Sequence, residues 1–316
     1  MKVMTLLLLC MSAPAFAYKF TVYTDQADKT KATEVINTLK NTYPFNQYEI
    51  DFDIKLVEAS ELNCAPLPGI DRAMTCQSRN IARDAAANNI DQAMIVKDHP
   101  EYGGTGGSIP VMTSSSPASM AVHEYMHSLG LCDEYKYAAS ETEFFCKPED
   151  AGQNMVFIDP NPAGYSSDLD ARAQHMGSIP WGSGIKMETP ITHGSIELGT
   201  GAISQNVLAP KNNSNDPTVL GAPIGLYEGK TCAEATPPKK TWQPGGEVTI
   251  MDQLAAGLGA GNEYLVAKAL ESRGVQKKIK VSEEFSLFVN NTKREAEAIN
   301  YLPHPNSNTN SSSVAK

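Results

Sequence analysis

The first hundred residues switch repeatedly between two apolar periods. Residues 19–24 (Lys-Phe-Thr-Val-Tyr-Thr) are β-branched and aromatic and predict a strand. Residues 28–39 carry apolar side chains at Ala32, Val35, Ile36 and Leu39, the spacing of one helix face. Residues 48–57 alternate through Ile50, Phe52, Ile54 and Leu56, which predicts a half-buried strand. A second helix is expected over 74–89 and a short buried strand over 92–96. Strand, helix, strand, helix, strand places the chain in the α/β class, with a largely parallel sheet. A Gly-rich turn at 103–107 leads into an extended segment at 108–113. The next helix runs through Val122 to Leu129, with Ser116 or Ser119 available as its cap and Gly130 as its stop.

Beyond Gly130 the texture changes. Residues 131–247 are rich in Gly, Pro, Asn and Ser, and 168–176 is the clearest helix among them. Regular structure is expected again at 247–257 and 263–273. The expected organisation is one domain over 18–302, with a sheet and helix part (18–133) and a loop-rich part (134–302). The Asn- and Ser-dominated tail, 303–316, is expected to be disordered.

The N-terminus adds a compartment. Lys2, an apolar run from Val3 to Met11, and small residues at Ala15 and Ala17 form the pattern of a signal peptide cleaved after Ala17. Cys10 raises lipid attachment, but Leu7, Leu8 and Leu9 are not the small residues that reaction uses. No later stretch is apolar enough for a membrane helix, so the expected location is secreted or periplasmic, without membrane insertion. Removing residues 1–17 takes away Lys2 and no acid, so the formal net charge moves from −10 to −11. That balance argues against nucleic acid as a partner. Cys64, Cys76, Cys132, Cys146 and Cys232 remain, and an oxidising compartment favours pairing. Cys64 with Cys76 and Cys132 with Cys146 are the locally simplest bridges, which leaves Cys232 single. The oligomeric state is left open.

The segment from His123 to Tyr135 carries candidate chemistry. His123 and His127 are four residues apart on a helix and can aim their imidazoles at one point. Glu124, one residue on, falls beside such a metal, where it can act as general base. Gly130 lets the chain leave the helix in a left-handed conformation. Asp133 can then return as a third ligand, completing the three-ligand set of a catalytic zinc with one open position. His175 and His193 are the reserve third ligands; His99 and His304 stand in loop-like contexts.

The HExxHxxGxxD string, continued by Glu134 and Tyr135, resembles the IgA-peptidase-like zinc metallopeptidases. Tyr102-Gly103-Gly104, Pro180-Trp181, the segment 225–229, Trp242-Gln243-Pro244 and Ile250-Met251 resemble further blocks of that family. The Trp242-Gln243-Pro244 turn departs from the family's Tyr-Arg-Pro. The resemblance implies a metzincin-like zincin with a twisted mixed sheet, an active-site helix and a loop-rich C-terminal subdomain. It implies that Met251 forms a methionine turn beneath the metal. It also implies that Ser108, Ile109, Pro110 and Val111 form an edge strand to which an extended substrate adds. Tyr135 and Tyr227 are the candidate transition-state stabilisers. The expected function is therefore that of a secreted endopeptidase with one Zn2+ and a protein or peptide substrate. The alternatives are an exported zinc-containing binding protein or adhesin without catalysis, and an amidase acting on cell-wall peptides.

Overall fold

The computed structural model describes residues 17–68, 70–196, 203–208 and 223–278. The run before Ala17, expected to be a signal peptide, and the tail at 303–316 lie outside them. The first elements are β1 (Tyr18–Thr24), α1 (Thr30–Asn41), β2 (Ile50–Leu56), α2 (Ala59–Leu62), β3 (Cys64–Leu67), β4 (Ile70–Cys76) and α3 (Arg79–Ala87). Next come β5 (Gln92–Lys97), β6 (Gly104–Thr105), β7 (Val111–Thr113), α4 (Ser119–Ser128), α5 (Ala139–Phe145) and α6 (Asp168–His175). The last are β8 (Thr192–Ile196), β9 (Ile203–Leu208), β10 (Tyr227–Gly229), β11 (Thr241–Gln243) and α7 (Ala260–Ser272). All fall within one compact unit, residues 1–276; residues 277–316 form a second.

The main sheet has the order β2-β1-β5-β7-β6, parallel through its first four strands and antiparallel at β6. The expected α/β class and largely parallel sheet are present. β5 shows why the sheet is covered on both faces. Its Met94 and Val96 join one buried cluster while Ala93 and Ile95 join another. A strand with two apolar faces is the pattern of a sheet sandwiched between layers. The first cluster packs the sheet against Ala32, Val35, Ile36 and Leu39 of α1 and against α4. Tyr125 of α4 meets Phe20 edge-on at 4.9 Å between ring centroids. The second cluster packs the other face against Ile81 and Ala85 of α3 and against Leu62 and Met74. Helix α4 is thus clamped into the larger core, and it cannot shift without repacking the sheet.

Several expectations are corrected. Met74 to Cys76 belong to β4, and the helix begins only at Arg79. Cross-strand pairing of Cys76 with Cys64, closed by a disulfide, overrides the helical period there. Residues 247–257 form turns tied by a hydrogen bond from Ile250 N to Gly257 O, 2.7 Å, rather than a regular element. Neither serine caps α4, whose N-cap is Ala118. Ser116 instead accepts Gly103 N and shares a hydrogen bond with Thr113.

The cysteine pairing also differs in part. Cys64–Cys76 forms as expected, but Cys146 pairs with Cys232 and Cys132 is free. Cys132 lies against Gly152, with its thiol on the Asp150 carbonyl. Burial pushes the Cys132 thiol up to about 11. The Cys146–Cys232 bridge spans 86 residues and fastens the end of α5 to the segment after β10. In the chain-entropy model a loop of that length is worth about 4–5 kcal/mol. Among the described residues no helix is long and apolar enough to cross a membrane.

Candidate metal centre

α4 ends in a Schellman motif. Leu131 N donates to Met126 O at 3.1 Å and Gly130 N to His127 O at 2.9 Å, with Gly130 at φ 93°. Only glycine adopts that conformation at little cost. The motif turns the Leu131 carbonyl back over the helix, where it accepts His127 Nδ1 at 2.8 Å. His123 Nδ1 donates to the Ile250 carbonyl at 2.9 Å. Because a carbonyl only accepts, both Nδ1 atoms carry the proton, and in the neutral rings both Nε2 atoms present bare lone pairs.

Those lone pairs converge. The two Nε2 atoms are 3.2 Å apart, and Asp133 Oδ1 lies 3.1 Å from His123 Nε2 and 3.3 Å from His127 Nε2. Asp133 Oδ1 is buried and, between two bare nitrogens, has no donor. Three acceptors in mutual contact repel unless a positive charge sits among them. Burial alone would lower the His127 pKa, but the Asp133 carboxylate overrides it and pushes it up to about 9. Burial would likewise raise Asp133, and the two histidines instead hold it well below the usual carboxylate range. Ligands at about 2.0–2.1 Å around a tetrahedral ion lie roughly 3.3 Å apart, so this donor set fits zinc in chemistry and spacing. Glu124 stands slightly wider than the triangle: its Oε2 is 4.0 Å from His127 Nε2, and its carboxylate and the two imidazoles lie within 4.8 Å of one another, close enough to face one ion. His175 bonds to Tyr165 and His193 lies on β8; neither lines the cleft.

Asp133 is held by its second oxygen. Tyr137 OH donates to Asp133 Oδ2 at 3.0 Å, and burial, reinforced by Asp133, raises the phenol so that it stays a donor. Next to it, Glu134 turns inward and is buried. Its Oε1 accepts Asn154 Nδ2 at 2.8 Å and Asn262 Nδ2 at 3.0 Å, and its Oε2 accepts the Thr249 hydroxyl. Burial raises this carboxyl, against the pull of the three donors. Glu134 N donates to Met251 O at 2.9 Å. One residue therefore ties the loop that carries Asp133 to the 152–156 loop, the Met251 turn and α7. Met251 itself is fully buried in the main core, directly after the carbonyl that orients His123. Sequence reasoning assigned no role to Glu134 or Tyr137. An acid beside a ligand on an otherwise loop-like stretch was the available signal for the first.

β6 presses on the helix from the other side. A Cβ on Gly104 would stand 2.5 Å from Glu124 Oε1, and one on Gly106 would stand 2.4 Å from His127 Cβ. The expected edge strand is displaced by this arrangement. Residues Ser108, Ile109 and Pro110 precede β7, and Val111 is buried in the sheet interior between β5 and β6. The edge is Gly104–Thr105, because the Gly-rich turn folds back antiparallel onto β7. An open cleft of about 530 Å³ lies over the site, and Tyr135 is part of its lining. Tyr227 is not: its hydroxyl donates to the Pro223 carbonyl at 3.0 Å, away from the cleft. No protein-family model matches the chain, and no curated protein matches it.

Proposed function

We propose that the protein is an exported zinc endopeptidase of metzincin-like type, with one zinc ion held by His123, His127 and Asp133. The observation that carries this reading is the convergence of three acceptor atoms at 3.1–3.3 Å, each with its residue's other polar atom already occupied. Structural zinc sites close on four protein ligands, whereas three plus an adjacent acid is the composition of a hydrolytic site. When bound, zinc lowers the pKa of a water toward about 7 and polarises a carbonyl oxygen. Glu124, held beside the triad under Gly104, takes the proton of the attacking water and returns it to the leaving amine nitrogen. The carbonyl partners of His123 and His127 fix the proton on each Nδ1, so it is Nε2 of each ring that faces the metal position. Tyr135 lines the cleft and can donate to the developing oxyanion. The two disulfides suit an oxidising compartment, which supports export.

Incubation with a reduced, denatured protein substrate tests the reading. Internal peptide bonds are expected to be cut, cutting to stop in a chelator, and zinc to restore it. Cutting at an undiminished rate in the chelator would defeat the zinc assignment. The Tyr137–Asp133 contact makes a further prediction. Tyr137→Phe removes the hydrogen bond that orients the carboxylate and should weaken zinc binding about 10–100-fold, measured by competition with a chromogenic chelator. An unchanged affinity would show that Asp133 needs no such support.

A further inference from the structure

The cleft is built from two apolar walls around an acidic floor. On the Glu124 side the β3–β4 hairpin runs beside β6 and turns Leu67 and Ile70 toward the opening. On the Asp133 side α5 contributes Phe145, which stacks on Tyr137 at 5.1 Å between centroids yet remains 40% exposed. A Phe ring left in water at the mouth of a cleft, facing further apolar side chains, is an unpaid desolvation that a ligand can complete. Both walls are fastened: the hairpin by Cys64–Cys76, and α5 at its C-terminal end by Cys146–Cys232. Beyond Glu124 and Asp133 the lining adds Glu141 and Asp252, and among the described residues no Lys or Arg lines it. Asp252 is paired with Lys230 and Glu141 caps the N-terminus of α5, so both acids are engaged within the protein rather than aimed at a basic side chain of the substrate.

We infer that the cleft selects peptides with bulky apolar side chains beside the scissile bond and rejects acidic ones, with Leu67, Ile70 and Phe145 setting the preference. This rests on the peptidase reading and adds a substrate class to it. A hydrophobic contact of one or two methylene groups changes selectivity by about tenfold or more, which a cleavage profile resolves.

The test is to digest a mixed library of denatured peptides, map the cut positions by mass spectrometry, and repeat it with Leu67→Ala/Ile70→Ala. The wild-type profile should be enriched in Leu, Ile, Met, Phe and Tyr within two residues of the cut, and depleted in Asp and Glu. The double variant should lose about tenfold in kcat/KM for a Leu or Phe peptide relative to its Ala counterpart. A single change, Ile70→Glu, at a partly exposed position, should admit Lys and Arg into the profile. Cuts enriched in acidic, Gly or Ala positions, or a profile that both variants leave intact, would overturn this inference while leaving the peptidase reading standing. No cut in any peptide would overturn both.

Discussion

Replacing Glu124 with Gln should leave one zinc per chain in place and lower peptide-bond cleavage by about two to four orders of magnitude. Gln keeps the shape that fits beneath Gly104, where even a Cβ would approach Glu124 Oε1 to 2.5 Å, but it cannot accept a proton. The carboxylate is not one of the three converging donors, since its Oε2 stands 4.0 Å from His127 Nε2. Loss of chemistry without loss of metal is therefore the expected signature, read from kcat and zinc content of the same sample. Zinc lost together with activity would make Glu124 a ligand instead of a base. Full activity with zinc retained would remove it from the mechanism.

The second large effect comes from a glycine of the cleft lining that packs on His127. Gly106→Ala places a methyl group 2.4 Å from His127 Cβ and 2.6 Å from its Cδ2. Those atoms sit at the root of the side chain, on a helix clamped into the core, so the imidazole cannot swing clear as a flexible chain end would. Displacing it by a fraction of an ångström opens the donor triangle. A hundredfold loss in kcat/KM, with weaker zinc binding, is the expected result. Gly177→Ala is the control: a Cβ there meets nothing within 4 Å, so activity should be unchanged. A Gly106→Ala protein with wild-type kinetics would mean that the turn after β6 does not hold His127 in place as described.

How much of this was legible in the sequence depends on how local the physics is. His123, His127 and Glu124 follow from the helical repeat, and the exit at Gly130 follows from its left-handed conformation. Asp133 needed only the three-residue return of the chain. β2 was legible because its apolar side chains recur every second residue, β1 because it is β-branched and aromatic, and β5 because it is a short unbroken apolar run. Glu134 was not, because its partners Asn154, Thr249 and Asn262 lie up to 128 residues away and carry no local mark. The same holds for Cys146, whose partner is 86 residues on, while a nearer cysteine offered a simpler loop. The edge strand was misplaced by a few residues because a Gly-rich turn shows where a chain can fold back, and the sheet order decides which side of the turn is outermost.

Metal analysis of the purified protein beside His127→Ala tests the central claim most directly. The triad of His123 Nε2, His127 Nε2 and Asp133 Oδ1 predicts one zinc per chain in the wild type and none in the variant, whose fold should remain intact by circular dichroism. One zinc retained by a folded His127→Ala protein, with its cleavage activity unaltered, would contradict it.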